Sequence, residues 1–259
     1  MVFHSKKKEK LTDGEKEAGE IDREIADEQG DRWSFVAVLP DTGFIHAIHH
    51  GKRTQDEAEF FLEMVKRRSD GEAPLFVSDA WFYESALYKV YGRYECPPYK
   101  GRGPYPSPRW IPDEKLKYAQ VYKKRDKKGN IESITTRVIK GDEAKILAII
   151  REKGRSYCIN TSFVESRNGK YRKDNVRLSR ATLCHSKKSK NHDAQADLLT
   201  AFFNYCTENS ALKKVINPNA KLFEVKFLRQ SPAMVEGLTD KILTMKELLC
   251  CRVPKLIIP

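Results

Sequence analysis

The 259 residues contain no apolar run near the roughly 20 residues that a membrane-crossing helix needs, so a helical span is excluded. Met1 to Lys10 lack the apolar stretch of a secretory signal and are rich in lysine instead. Cysteine is scarce: there are six, none in a C-x2-C pair, and only Cys250 and Cys251 are adjacent. That usage indicates neither a structural zinc site nor a disulfide framework, and a reducing, cytoplasmic location is the expectation. Internal repeats and low-complexity tracts are also missing. With 40% hydrophobic and 32% charged residues, the composition is that of a globular chain able to bury a core.

Positive charge is in excess, and unevenly so. The formal net charge is +12, yet residues 1–31 hold six basic and ten acidic residues. The remainder therefore carries about four more positive charges than the total suggests. Such a field over a folded body favours a polyanion, most simply nucleic acid, because neutralising phosphates releases counterions. A basic protein without such a partner is the plainer alternative.

Periodicity predicts an α/β order. Residues 9–31 read as an acidic, solvated segment. Arg32–Leu39 and Phe44–His49 are rich in β-formers and flank a Pro-Asp-Thr-Gly turn, which predicts a hairpin. Thr54 with Glu57 three residues later announces a helix carrying Ala58, Phe61, Leu62 and Val65. Leu75–Asp79 is a short apolar run closed by a carboxylate, as expected of a buried strand whose carboxyl end faces a ligand site. A helix over 82–91 follows. Residues 96–112 hold half of the twelve prolines among Tyr99, Tyr105 and Trp110, which defeats both helix and ladder and predicts a surface excursion. A second hairpin with a basic tip spans 118–139, then a helix over 142–153. A buried helix is expected over 194–206, an irregular stretch from Thr207, and a short helix near 245–250. His185 and His192 have no Cys or His at ligand spacing, so surface or capping roles are expected.

Asn160 to His192 is the most unusual stretch, with nine basic residues against Glu165 and Asp174. A helix starting at 160–162 places Glu165, Asn168 and Arg172 at i, i+3 and i+7, on one face. Ser162-x-x-Glu165 also fits a capping box, in which Glu165 only satisfies the helix start. Asp79 likewise fits a cap or turn former. Taken together, a strand-end Asp and a helix-borne Glu in a basic chain are the hard oxygen ligands that phosphoryl-transfer enzymes use for magnesium or manganese.

Val77-Ser-Asp-Ala-Trp-Phe-Tyr-Glu-Ser-Ala-Leu87 and Ile159-Asn-Thr-Ser-Phe-Val-Glu-Ser-Arg-Asn168 resemble the prokaryotic insertion-sequence DDE transposases. Arg172, Arg177-Leu-Ser-Arg180, Ser186-Lys-Lys, Phe202-Phe-Asn-Tyr205 and Ser231-Pro-Ala-Met extend the resemblance over about residues 32–250. It implies an RNase H-like mixed sheet flanked by helices, shared with retroviral integrases. Residues 32–206 would be its core, with a Pro-rich and hairpin insertion at about 93–140, and 207–259 a C-terminal extension. Asp79 matches the second carboxylate and Glu165 the third, implying a two-metal magnesium or manganese site. Asn168, Arg172, Lys173, Arg177, Arg180, Lys187 and Lys188 would contact DNA, both transposon ends and target, and a homo-oligomer is expected.

The departure concerns the first carboxylate. The resemblance puts it on the first strand, before the Trp33–Leu39 strand, and by that register it falls just ahead of Met1. Residues 1–31 thus read as a truncated first strand and an acidic loop. Asp31 is the best substitute, ahead of Asp22 and Asp27. The expected activity is metal-dependent DNA cleavage and strand transfer, impaired by that loss. The alternatives are a DNA-binding remnant without catalysis and an RNA-binding protein stacking bases on the Tyr99–Trp110 aromatics.

Overall fold

A computed structural model describes residues 2–3, 12–14, 31–81, 83–153, 156–178, 184, 186, 188–219 and 225–251. The chain divides into two compact units: Met1–Ala37 with His46–Ser189, and Val38–Ile45 with Lys190–Pro259.

The first unit is mixed α/β. Strands β1 (Val2–Phe3), β2 (Asp31–Val38) and β3 (Ile45–Gly51) form one sheet in that order, with Phe3 antiparallel to Asp31. The expected extended segment at the start of the chain is thus a strand beside β2. Helix α1 (Gln55–Arg67) follows; Thr54 caps it by accepting the Glu57 N–H, and Ala58, Phe61, Leu62 and Val65 are buried on its inner face. Strand β4 (Leu75–Asp79) and helix α2 (Tyr83–Val90) come next. The Pro-rich excursion is not free of ladder as expected: strands β5 (Gly92–Glu95) and β6 (Arg109–Pro112) close it as a two-stranded antiparallel ribbon, with Pro112 confined to the strand end. Strands β7 (Lys117–Arg125) and β8 (Ile131–Lys140) form the second hairpin, and β4 runs parallel to β7, giving a mixed three-stranded sheet. Asp142 caps helix α3 (Glu143–Glu152), and helix α4 (Ser162–Asp174) carries the basic stretch.

Both faces of the β4–β7–β8 sheet are covered, because side chains alternate along each strand. Phe76, Tyr118 and Ile139 face α1 and α2, where Phe61, Leu62, Ala86, Leu87 and Phe35 of β2 complete one core. Leu75, Val77, Ala119, Val121 and Val138 face the other way, onto Ile146 of α3 and Ile159. Asp79, two residues beyond Val77, and Lys123, two beyond Val121, continue this second face past the end of the apolar packing.

The second unit departs from expectation three times. The predicted helix over 194–206 is an α-helix, α5 (Ser189–Ala201), that widens into a π-helical turn at Phe202–Cys206. Within that turn the buried Asn204 side chain accepts the Ile45 N–H and donates to the Ile45 carbonyl, both at 2.9 Å, so it pairs like a neighbouring strand. The stretch after Thr207 is not irregular: β9 (Asn209–Val215) and β10 (Phe227–Gln230) form an antiparallel ribbon. Its side chains are mostly exposed, which is why an apolar pattern did not announce it. Helix α6 (Pro232–Val235), capped by Ser231, and helix α7 (Met245–Cys250), closed by a Thr244–Glu247 capping box, complete the unit. His192 is fully buried rather than a surface residue, because His192, Ala196 and Thr200 recur at i, i+4 and i+8 on the inward face of α5. His185 lies outside the described residues. All six cysteines are free thiols. Among the described residues no helix is long and apolar enough to cross a membrane.

Candidate functional site

Strand β4 ends where its ladder with β7 still holds it. Asp79 lies opposite Val121, and the Ala80 N–H extends the ladder to the Val121 carbonyl at 3.2 Å. Below it, Ser78 hydrogen-bonds the Tyr118 hydroxyl at 2.8 Å, and the Gln120 amide donates to that hydroxyl and to the Trp81 carbonyl. These bonds fix the strand end and the turn into α2, so the Asp79 carboxylate leaves from rigid backbone.

Asp79 opens into a cleft of about 530 Å³. Strand β7 contributes Val121, Tyr122, Lys123 and Arg125, β8 contributes Ile131, and α4 contributes Glu165, Asn168 and Arg172. The helical spacing expected for the last three is realised: all line the same space. On another face of α4, Tyr171 is buried and anchors the helix. Two carboxylates separated by 86 positions in sequence thus share one cleft with three cations, Lys123, Arg125 and Arg172.

Glu165 does not form the capping box that its spacing allowed. Ser162 is the first helical residue and Thr161 the cap; the Ser162 N–H and hydroxyl both go to the Asn160 side chain. The Glu165 carboxylate accepts instead from the Lys123 ammonium, in a close ion pair, and from the Thr161 hydroxyl at 2.7 Å. Lys123 also donates to Thr161 at 3.3 Å. Partial burial works to raise the Glu165 pKa, but the bonds from Lys123 and Thr161 and the charges of Lys123 and Arg125 outweigh it. The carboxyl therefore titrates below its ordinary range.

The remaining cations are more scattered than a single basic helix would place them. Arg172 and Lys173 lie in the last turn of α4, but Lys173 is exposed and does not line the cleft. Asn175 ends the helix, and Arg177 sits in a separate 3-10 turn (Val176–Leu178), where its guanidinium donates to Ser186 at 3.3 Å. Lys188 is exposed; Arg180 and Lys187 lie outside the described residues, as do Asp22 and Asp27. Asp31 begins β2, across from Phe3.

Lys123, Arg125 and Thr161 are the site residues that sequence reasoning missed. One signal for the first two was available: on one face of β7 the pattern Ala119, Val121, Lys123, Arg125 turns from apolar to cationic, as it does where a strand leaves a core and enters a polar cleft.

Chemically, the cleft offers two hard carboxylates beside two guanidiniums, an ammonium and an amide. That donor set suits a divalent cation and an anionic oxygen-rich ligand together. No family model, no curated protein and no solved structure matches the chain.

Proposed function

We propose that the first unit is an RNase H-like catalytic domain of the DDE transposase type, acting on DNA phosphodiesters with magnesium or manganese. The observation that carries this reading is that Asp79, at the carboxyl end of a strand, and Glu165, on a later helix, line one cleft with Asn168 and Arg172. The β4–β7–β8 sheet, mixed and flanked by helices on both faces, supports the α/β class; β7 and β8 belong to that sheet, although the resemblance puts residues 93–140 in an insertion.

The residues fit a divalent ion: two carboxylates face the same polar space, and Glu165 is held ionised by its surroundings. Asp79 and Glu165 would hold it, and when bound it would activate the attacking oxygen and stabilise the leaving one. The rest of the work falls to this chain's own cations. Arg172 and Arg125 neutralise a phosphate entering the cleft, and Lys123 balances the Glu165 charge within it. Among the described lining residues there are two carboxylates and not three, so cleavage and strand transfer are both expected to be impaired.

One observation favours a second reading, a DNA-binding protein without catalysis: the Lys123 ammonium already satisfies Glu165 as a metal would. The two readings separate in a plasmid-nicking assay with the full chain and manganese. Metal-dependent nicking, lost in Asp79→Asn and in Glu165→Gln, is expected of the enzyme. Salt-sensitive binding with no nicking, or nicking indifferent to both substitutions, overturns the catalytic reading.

A further inference from the structure

The β5–β6 ribbon and the loop it closes contribute none of the cleft-lining residues and serve no role in the reading above. The register of the ribbon sets Tyr94 directly opposite Trp110, with ring centroids 5.3 Å apart. In the loop, Tyr99 and Tyr105 stack at 4.4 Å with their planes 21° apart. The geometry is held locally. The Tyr99 hydroxyl donates to the Gly103 carbonyl at 3.1 Å, and Gly101 and Gly103 take positive φ at the bend between the two tyrosines.

All four rings are nevertheless exposed, Tyr105 at 81% and Tyr94 at 61%. Exposed rings held in pairs, Tyr99 on Tyr105 near parallel and Tyr94 on Trp110 tilted by 54°, suit a stacking platform rather than the edge of a core. Within residues 92–112 the cations Arg93, Lys100, Arg102 and Arg109 face a single acid, Glu95, to which Arg93 is bonded. Proline at six positions limits the conformations that the loop must give up on binding.

Flat aromatic faces beside free cations match one ligand chemistry: bases whose faces are open, on a phosphate backbone. Bases inside a duplex are already stacked and cannot use such faces. We propose that the Gly92–Pro112 ribbon binds unpaired DNA, with Tyr105 and Trp110 stacking on bases and Lys100 and Arg102 neutralising phosphates. The choice of DNA rests on the functional reading above.

The test uses the full chain and three probes: a blunt duplex, the same duplex with a single-stranded overhang of about six nucleotides carrying 2-aminopurine, and an RNA oligonucleotide of the overhang sequence. The overhang should bind more tightly than the blunt duplex, with its 2-aminopurine fluorescence quenched. Tyr105→Ala should weaken overhang binding about tenfold, a loss typical of one base–aromatic stack. Tyr105→Trp should restore it, and blunt-duplex affinity and melting temperature should not move. Because Trp110 also packs on Tyr94, Trp110→Ala is the second variant and Tyr105→Ala the decisive one. Equal binding of blunt and overhang probes, an unaffected Tyr105→Ala, or tighter binding of the RNA overturns the proposal. Overhang preference without metal-dependent nicking supports it while counting against the catalytic reading; nicking without overhang preference does the reverse.

Discussion

Lys123 decides the electrostatic character of the cleft. Its side chain is partly buried beside a half-exposed Glu165, and the Thr161 hydroxyl serves both. Removing it in Lys123→Ala withdraws one hydrogen bond and the nearest positive charge, so the Glu165 pKa should rise towards its ordinary value. A carboxyl whose folded pKa is depressed contributes stability above its unfolded value, about 4.3, and loses that contribution as pH falls through the folded value. The wild-type chain should therefore lose stability on acidification below about pH 4.3 more steeply than Lys123→Ala does. For a pair this solvated the difference should stay below about 1 kcal/mol. Melting curves across that window check it; parallel pH profiles would show that the pair contributes nothing to folding.

At the scale of elements, the ribbon and the sheet depend on different constraints. Gly92 begins β5 immediately after α2, and a Cβ there would run into the backbone carbonyls of Tyr88 and Ile111. Neither carbonyl is the end of a flexible side chain, so Gly92→Ala forces the ribbon away from the helix. We expect a loss of about 1–3 kcal/mol, the usual cost of overpacking, measured by urea denaturation. The same variant should weaken binding of unpaired DNA, since Tyr94 and Trp110 move with the strands. An unchanged urea midpoint would mean that the ribbon shifts freely. The β4–β7–β8 sheet, in contrast, is pinned on both faces by packed helices, which suits it to carry a site whose groups must stay in register.

For the molecule as a whole, the relevant quantity is the charge that meets a polyanion. The chain carries +12, and its cations are distributed over β7, α4, the 3-10 turn and the Pro-rich loop rather than over one helix face. Binding to duplex DNA should weaken steeply with salt. Replacing Arg172, Arg177 and Arg180 together by Ala should lower the slope of log affinity against log salt by up to about three, near one per lost phosphate contact. Fluorescence anisotropy over a salt series measures that slope. No change would mean that these side chains only cover surface.

The sequence by itself determined which stretches are strands and helices wherever apolar periodicity or a cap was strong: α1 behind Thr54, α3 behind Asp142, β4 closed by Asp79, and the 117–140 hairpin. It also determined that Glu165, Asn168 and Arg172 share one helix face, because helical spacing alone demands it. The exposed β9–β10 ribbon escaped, since local pairing of polar strands leaves no periodic apolar trace. Only the tertiary structure decided what Glu165 does. Its spacing allowed a capping box, but the start of α4 at Ser162 and the approach of β7 gave the carboxylate to Lys123 instead. Burial of His192 and the clamp of Asn204 on Ile45 were decided in the same way. Each depends on a group brought from a distant part of the chain, and side-chain partners of that kind are chosen by packing, which no local pattern encodes.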